Sequence, residues 1–159
     1  MKLNFYKYQG TGNDFIILDN RQNNISLTNK QVKKLCDRRF GIGADGLMLL
    51  NSKAGHDFEM TYYNADGNES SMCGNGGRCL TKFAYDVGLY QMKYKFTAPD
   101  GEHQSEINED GTVALKMNDV SQVREDHGNF VLNTGSPHFV KFEYKQVNLF
   151  NAGFVFRFE

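Results

Sequence analysis

The stretch Asn64-Ala65-Asp66-Gly67-Asn68-Glu69-Ser70-Ser71-Met72-Cys73-Gly74-Asn75-Gly76-Gly77-Arg78-Cys79 decides how the rest of the chain is read. In the run before it, Phe58, Met60 and Tyr62 alternate with Glu59, Thr61 and Tyr63, which predicts a strand. The run after it, Arg78 to Asp86, predicts a helix. Between them the chain abandons regular structure for a carboxamide, a turn, a thiol and a glycine-rich corner, as ligand sites commonly require. With the helix beginning near residue 75, Cys73 faces its N-terminus, where unpaired N–H groups and the positive end of the dipole favour a thiolate. The same N–H groups suit a carboxylate or a phosphate. A thiolate beside such a site fits covalent attack on a carbonyl, or removal of a proton next to a carboxylate. The plainer alternative is an inert loop cysteine. Cys73 and Cys79 do not form a Cys-x-x-Cys pair, no histidine lies nearby, and there is no Gly-Lys-Ser/Thr, so neither a metal site nor a P-loop is expected.

Working outward, Leu3 to Tyr8 alternates as a first strand, Gln9 to Asp14 is a turn, and Phe15 to Asp19 reads as a strand buried on both faces. Thr28 and Gln31 form a capping-box pair, and a helix is expected over 28–40, with Cys36 in the core. Gly41 to Gly46 is a second glycine-rich corner before the strand Leu47 to Leu50; there Asp45 either orients a ligand group or bonds its own turn. Residues 94–97, 104–107 and 113–117 read as strands, the last two joined by the hairpin signal Asn108-Glu109-Asp110-Gly111, and His103 is expected at the surface. Residues 118–128 read as a linker, 130–132 and 139–142 as strands. Many short strands and two helices make an α+β fold.

The totals bound the function. A chain of 159 residues suggests one domain and part of another. The net charge of -1 gives no electrostatic argument for nucleic acid or an anionic membrane, neither of which is expected as a partner, and no apolar run approaches spanning length. Three cysteines without scaffold spacing point to reduced thiols and a cytoplasmic protein.

Four ordered segments carry a resemblance. They are Gly10-Thr11-Gly12-Asn13-Asp14-Phe15, Asp37 to Gly46, Asn64-Ala65-Asp66-Gly67 with Cys73 to Cys79, and Asn133-Thr134-Gly135-Ser136-Pro137-His138. Over roughly residues 1–142 the chain resembles diaminopimelate epimerase. The resemblance implies a mostly antiparallel mixed sheet curled as a barrel around the central helix. It implies interconversion of LL- and meso-diaminopimelate for lysine biosynthesis, without a cofactor, by two cysteines on opposite faces of the α-carbon. Cys73 matches one of these and His138 a histidine at the edge of the site. Asn13, Asn64, Gly74, Asn75 and Ser136 match substrate-binding positions, and Gly46 stands where some members use a glutamine. The second Cys-Gly-Ser/Thr-Gly motif of the family is absent from the sequence. The expected organisation is a first domain over 1–118 with the Cys73 site, the start of a second over 119–146, and a closing strand over 147–159. The chain is then half of a two-base site, inactive alone. The alternative is an amino-acid- or carboxylate-binding half-domain, either non-catalytic or dependent on an oligomer such as a homodimer.

Overall fold

The computed structural model describes residues 3–134 and 137–142. The chain divides into two units, Met1–Met117 and Asn118–Glu159. The first holds seven strands in sequence order: β1 (Tyr6–Gly10), β2 (Asn13–Asn20), β3 (Gly46–Asn51), β4 (Phe58–Asn64), β5 (Lys93–Ala98), β6 (Gly101–Ile107) and β7 (Val113–Lys116). Helix α1 (Asn29–Cys36) joins β2 to β3 and α2 (Gly74–Asp86) joins β4 to β5. These two helical crossovers make the β2–β3 and β4–β5 pairs parallel, while the other neighbours are antiparallel.

The period of two assigns each strand residue to a layer. On β2 and β3, Phe15, Ile17, Met48 and Leu50 pack with Leu80, Phe83 and Ala84 of α2. The intervening Ile16, Leu18, Leu47 and Leu49 pack with Val32 and Cys36 of α1 on the opposite face. Phe58, Met60 and Tyr62 of β4 join the α2 layer. Helix α2 touches both β1 and β7, the two edges of the sheet, as well as β2, β3 and β6, so the sheet curls around it. The α+β barrel around a central helix is therefore the observed architecture. Burying a side chain such as Phe83, fully enclosed here, contributes about 1.5–3 kcal/mol.

Helix α1 starts as expected: Gln31 N–H donates to Thr28 Oγ1 at 3.4 Å and Thr28 N–H to Gln31 Oε1 at 2.8 Å. It stops at Cys36 rather than residue 40. The Asp37 carboxylate takes the Arg39 and Phe40 N–H groups at 2.7 and 2.8 Å, and this local alternative turns the chain out of the helix. His103 is also not at the surface. It sits on the inward face of β6, 2 % exposed, with Nε2 on Asp100 Oδ1 at 2.9 Å.

In the second unit, β8 (Val123–Asp126), β9 (Asn129–Asn133) and β10 (Pro137–Val140) form an antiparallel sheet, so part of the expected linker is a strand. The expected closing strand over 147–159 lies outside the described residues.

Candidate active site

One end of the sheet collects the first unit's expected site residues. Gly46 pairs with Phe15 on β2 and with Asn64 on β4, so Asn13, Gly46 and Asn64 share that end. Asn64 is the exposed last residue of β4. The loop that follows turns on Gly67 and docks on α1, where Asn29 Nδ2 donates to Asn68 Oδ1 at 3.0 Å. It then delivers Cys73 to the N-cap of α2.

Glycines are poor helix formers, yet three of the first four residues of α2 are glycine. A Cβ on Gly76 would lie 3.0 Å from Met48 Sδ, and one on Gly77 3.0 Å from Leu115 Cδ2. Their absence lets the helix end seat deep in the curled sheet. At that end the first N–H groups have no partner within the helix; the first intrahelical bond runs from Gly77 N–H to Cys73 O at 2.8 Å.

Cys73 is half-buried, whereas Cys36 and Cys79 are buried. Burial pushes both of those thiols up to about 11. The Cys73 thiol lies 3.6 Å from Asn13 Oδ1, and Asn75 Nδ2 reaches the same oxygen at 3.5 Å. Thr11 Oγ1 and Arg78 both donate to Asn75 Oδ1. The orientation of the Asn13 amide has a physical anchor. Its Nδ2 donates to Asp45 Oδ2 at 2.7 Å, and an ionised carboxylate only accepts, so the amide oxygen must face the thiol.

Asp45 is in turn held by Arg38 Nη2 at 2.7 Å and Asp14 N–H at 3.2 Å. Arg38 also donates to Asp14 Oδ1 at 2.6 Å, and Lys7 Nζ to Asp14 Oδ2 at 2.8 Å. The hydrogen bond from Asn13, ahead of that from Arg38, holds the Asp45 carboxyl below its usual range against the effect of burial. Arg38, then Lys7, hold Asp14 far below its own. Asp45 therefore bonds Asn13 and the Asp14 N–H, both on β2, rather than its own turn. Arg38, Lys7 and Thr11 were not singled out by sequence; the only signal for them was that they stand in or next to the quoted segments.

His138 belongs to the second unit, exposed, with Nε2 2.9 Å from Thr134 Oγ1. Ser136 lies outside the described residues. Among the described residues no cluster of three or more His, Cys, Asp or Glu could hold a metal ion.

Comparison with known proteins bears on this arrangement. A family model described as diaminopimelate epimerase matches residues 5–123. A diaminopimelate epimerase of Flavobacterium psychrophilum is 56% identical over 144 residues, covering 89% of this chain and 55% of that protein. One from Chlorobaculum tepidum is 43% identical over 141 residues, covering 84% and 54%. The chain thus spans about half the length of these relatives. Among solved structures, a phenazine biosynthesis protein of the PhzF family from Bacillus anthracis superposes over 89% of this chain and 57% of its own, with TM-score 0.66 at 18% identity. A hydroxyproline epimerase from Agrobacterium vitis does so over 85% and 50%, with TM-score 0.58 at 10% identity. At these identities the two structures show a shared fold alone.

Proposed function

The chain belongs to the diaminopimelate epimerase family, and on that premise we propose that its Cys73 end is one half of a two-base site for inverting the α-carbon of diaminopimelate. The observation that carries the reading is a half-buried thiol at the N-cap of α2, beside two carboxamides and next to unpaired helix N–H groups.

In this reading the substrate α-carboxylate lies on the N–H groups of Gly74 and Asn75 at the positive end of α2. Asn13 and Asn64 bind the substrate's polar groups. The Cys73 thiolate takes the α-proton, and the electron pair left on carbon spreads into the carboxylate, whose growing charge the fixed N–H dipoles stabilise. Inversion requires a second acid on the opposite face, because a single base returns the proton to the side it came from. In the family that acid is a second thiol, in a motif that the 159 residues do not contain. His138 and Ser136 are read as further site residues from their match to the family's motif alone. The reaction needs no cofactor, serves lysine biosynthesis and takes place in the cytoplasm. A homodimer is one way of supplying the missing half.

The test is exchange of the α-proton of LL-diaminopimelate in deuterated buffer, followed by proton NMR, with the 159-residue chain and with its Cys73→Ser variant. Little or no epimerisation is expected from the chain alone. Normal turnover to the meso isomer by a monomer overturns the two-thiol reading. Saturable binding without exchange identifies the carboxylate-binding half-domain instead.

A further inference from the structure

Tyr62 is a deeply buried tyrosine at the site end of the sheet that neither the sequence nor the geometry above has given a task. It lies on β4 between Met60 and Asn64, and the period of two puts all three on the inward face. Its residue is 7 % exposed. Among the described residues its hydroxyl has no hydrogen-bond partner. The hydroxyl oxygen is not among the fully enclosed polar atoms, so it keeps contact with solvent and a ligand can reach it.

The position of the ring is set by Gly46. A Cβ on Gly46 would lie 2.6 Å from Tyr62 Cε2 and 2.9 Å from its hydroxyl oxygen. Tyr62 pairs across the ladder with Met48, and Gly46 is two residues along β3 towards the site end. The ring therefore leans over the bare backbone of Gly46 and occupies the space that a side chain at position 46 would fill. Phe15 closes the other side, its ring centroid 6.1 Å away and edge-on. The phenol thus points to the end of the sheet that holds Asp45, Asn13 and Cys73. Burial, first, and then the charges of Cys73 and Asp45 push it up to about 12, so it stays protonated near neutral pH and serves as a donor. Asp45 does not take that proton, being already bonded by Asn13, Arg38 and the Asp14 N–H. What is missing is an acceptor, and the neighbouring helix end favours an anionic one.

We propose that the Tyr62 hydroxyl is a substrate-binding donor, giving its hydrogen bond to a carboxylate oxygen of the molecule that Cys73 acts on. This rests on the reading of Cys73 as the group that meets the substrate. The glycine at position 46 is then explained as the clearance that lets a tyrosine two strand positions from Asn64 reach the ligand.

The test uses two small electrophiles that attack the same thiol. Iodoacetate carries a carboxylate beside its reacting carbon and iodoacetamide does not. Cys73 alkylation by each is followed by mass spectrometry of the Cys73 peptide, in the unaltered chain and in Tyr62→Phe. The phenylalanine keeps the ring and removes only the oxygen. The ratio of the two rates cancels changes in thiol ionisation and in general accessibility. A hydrogen bond to the carboxylate predicts that the iodoacetate-to-iodoacetamide ratio falls about tenfold in Tyr62→Phe. A ratio unchanged within twofold overturns the proposal; any larger fall supports it. Normal turnover to the meso isomer by the chain alone would overturn the two-thiol reading and leave this ratio standing, so the two are separable.

Discussion

Replacing Gly67 with alanine tests whether the loop that delivers Cys73 is held by its contact with α1. Gly67 has φ of +93°, and a Cβ there would lie 2.1 Å from the backbone oxygen of Asn29 and 2.8 Å from its carbonyl carbon. The first obstacle is conformational: a left-handed backbone costs a non-glycine residue about 1–2 kcal/mol. The second is steric. The Asn29 oxygen is short of ordinary contact by more than 1 Å and belongs to a helix backbone, so it cannot rotate away; overpacking of this kind costs about 1–3 kcal/mol. Together the loss is about 2–5 kcal/mol, a fall in melting temperature of about 10–20 °C for a unit of this size. Gly55 supplies the control, with φ of +79° and nothing within 4 Å of an added Cβ. Gly55→Ala meets only the conformational cost, about 1–2 kcal/mol. Urea and thermal melts of the two variants isolate the packing contribution. Equal losses would refute the claim that the loop is docked on α1.

Two further expectations follow from the charges and thiols. The Asp14 carboxyl is held below its unfolded value of about 4 by Arg38 and Lys7. Its stabilisation is present above that value and lost as the pH falls towards the folded one. The urea midpoint should therefore drop on acidification below about pH 4, and drop less in Arg38→Met, which removes the main cause. In native protein at pH 8, iodoacetamide should label Cys73 first, because burial pushes Cys36 and Cys79 up to about 11. Peptide mass spectrometry reads this directly. Rapid labelling of Cys36 before urea is added would contradict its buried place at the end of α1, against β2 and β3.

Much of the fold was legible from neighbours in the chain. The strand Phe58–Asn64 declared itself by alternation, and α1 by its Thr28–Gln31 box. The same alternation, followed through Gly101–Ile107, puts His103 with Ser105 and Ile107 on the inward face; treating the histidine as a polar residue missed it. The early end of α1 was hidden because a helix and an Asp37-centred turn compete for the same N–H groups, and the composition of 37–40 suits both.

The sequence by itself determined which residues are equipped for chemistry at this end of the molecule: a thiol before a glycine-rich helix start, with a carboxamide loop ahead of it. These are local properties, set by side-chain type and by the backbone freedom of glycine. Only the tertiary structure decided how the thiol is surrounded. Asn13 meets Cys73 across 60 positions of chain and Asp45 across 32, and Tyr62 leans over Gly46 from the next strand. No spacing rule predicts such contacts, because strand register and the curl of the sheet around α2 bring them together only after the core has packed.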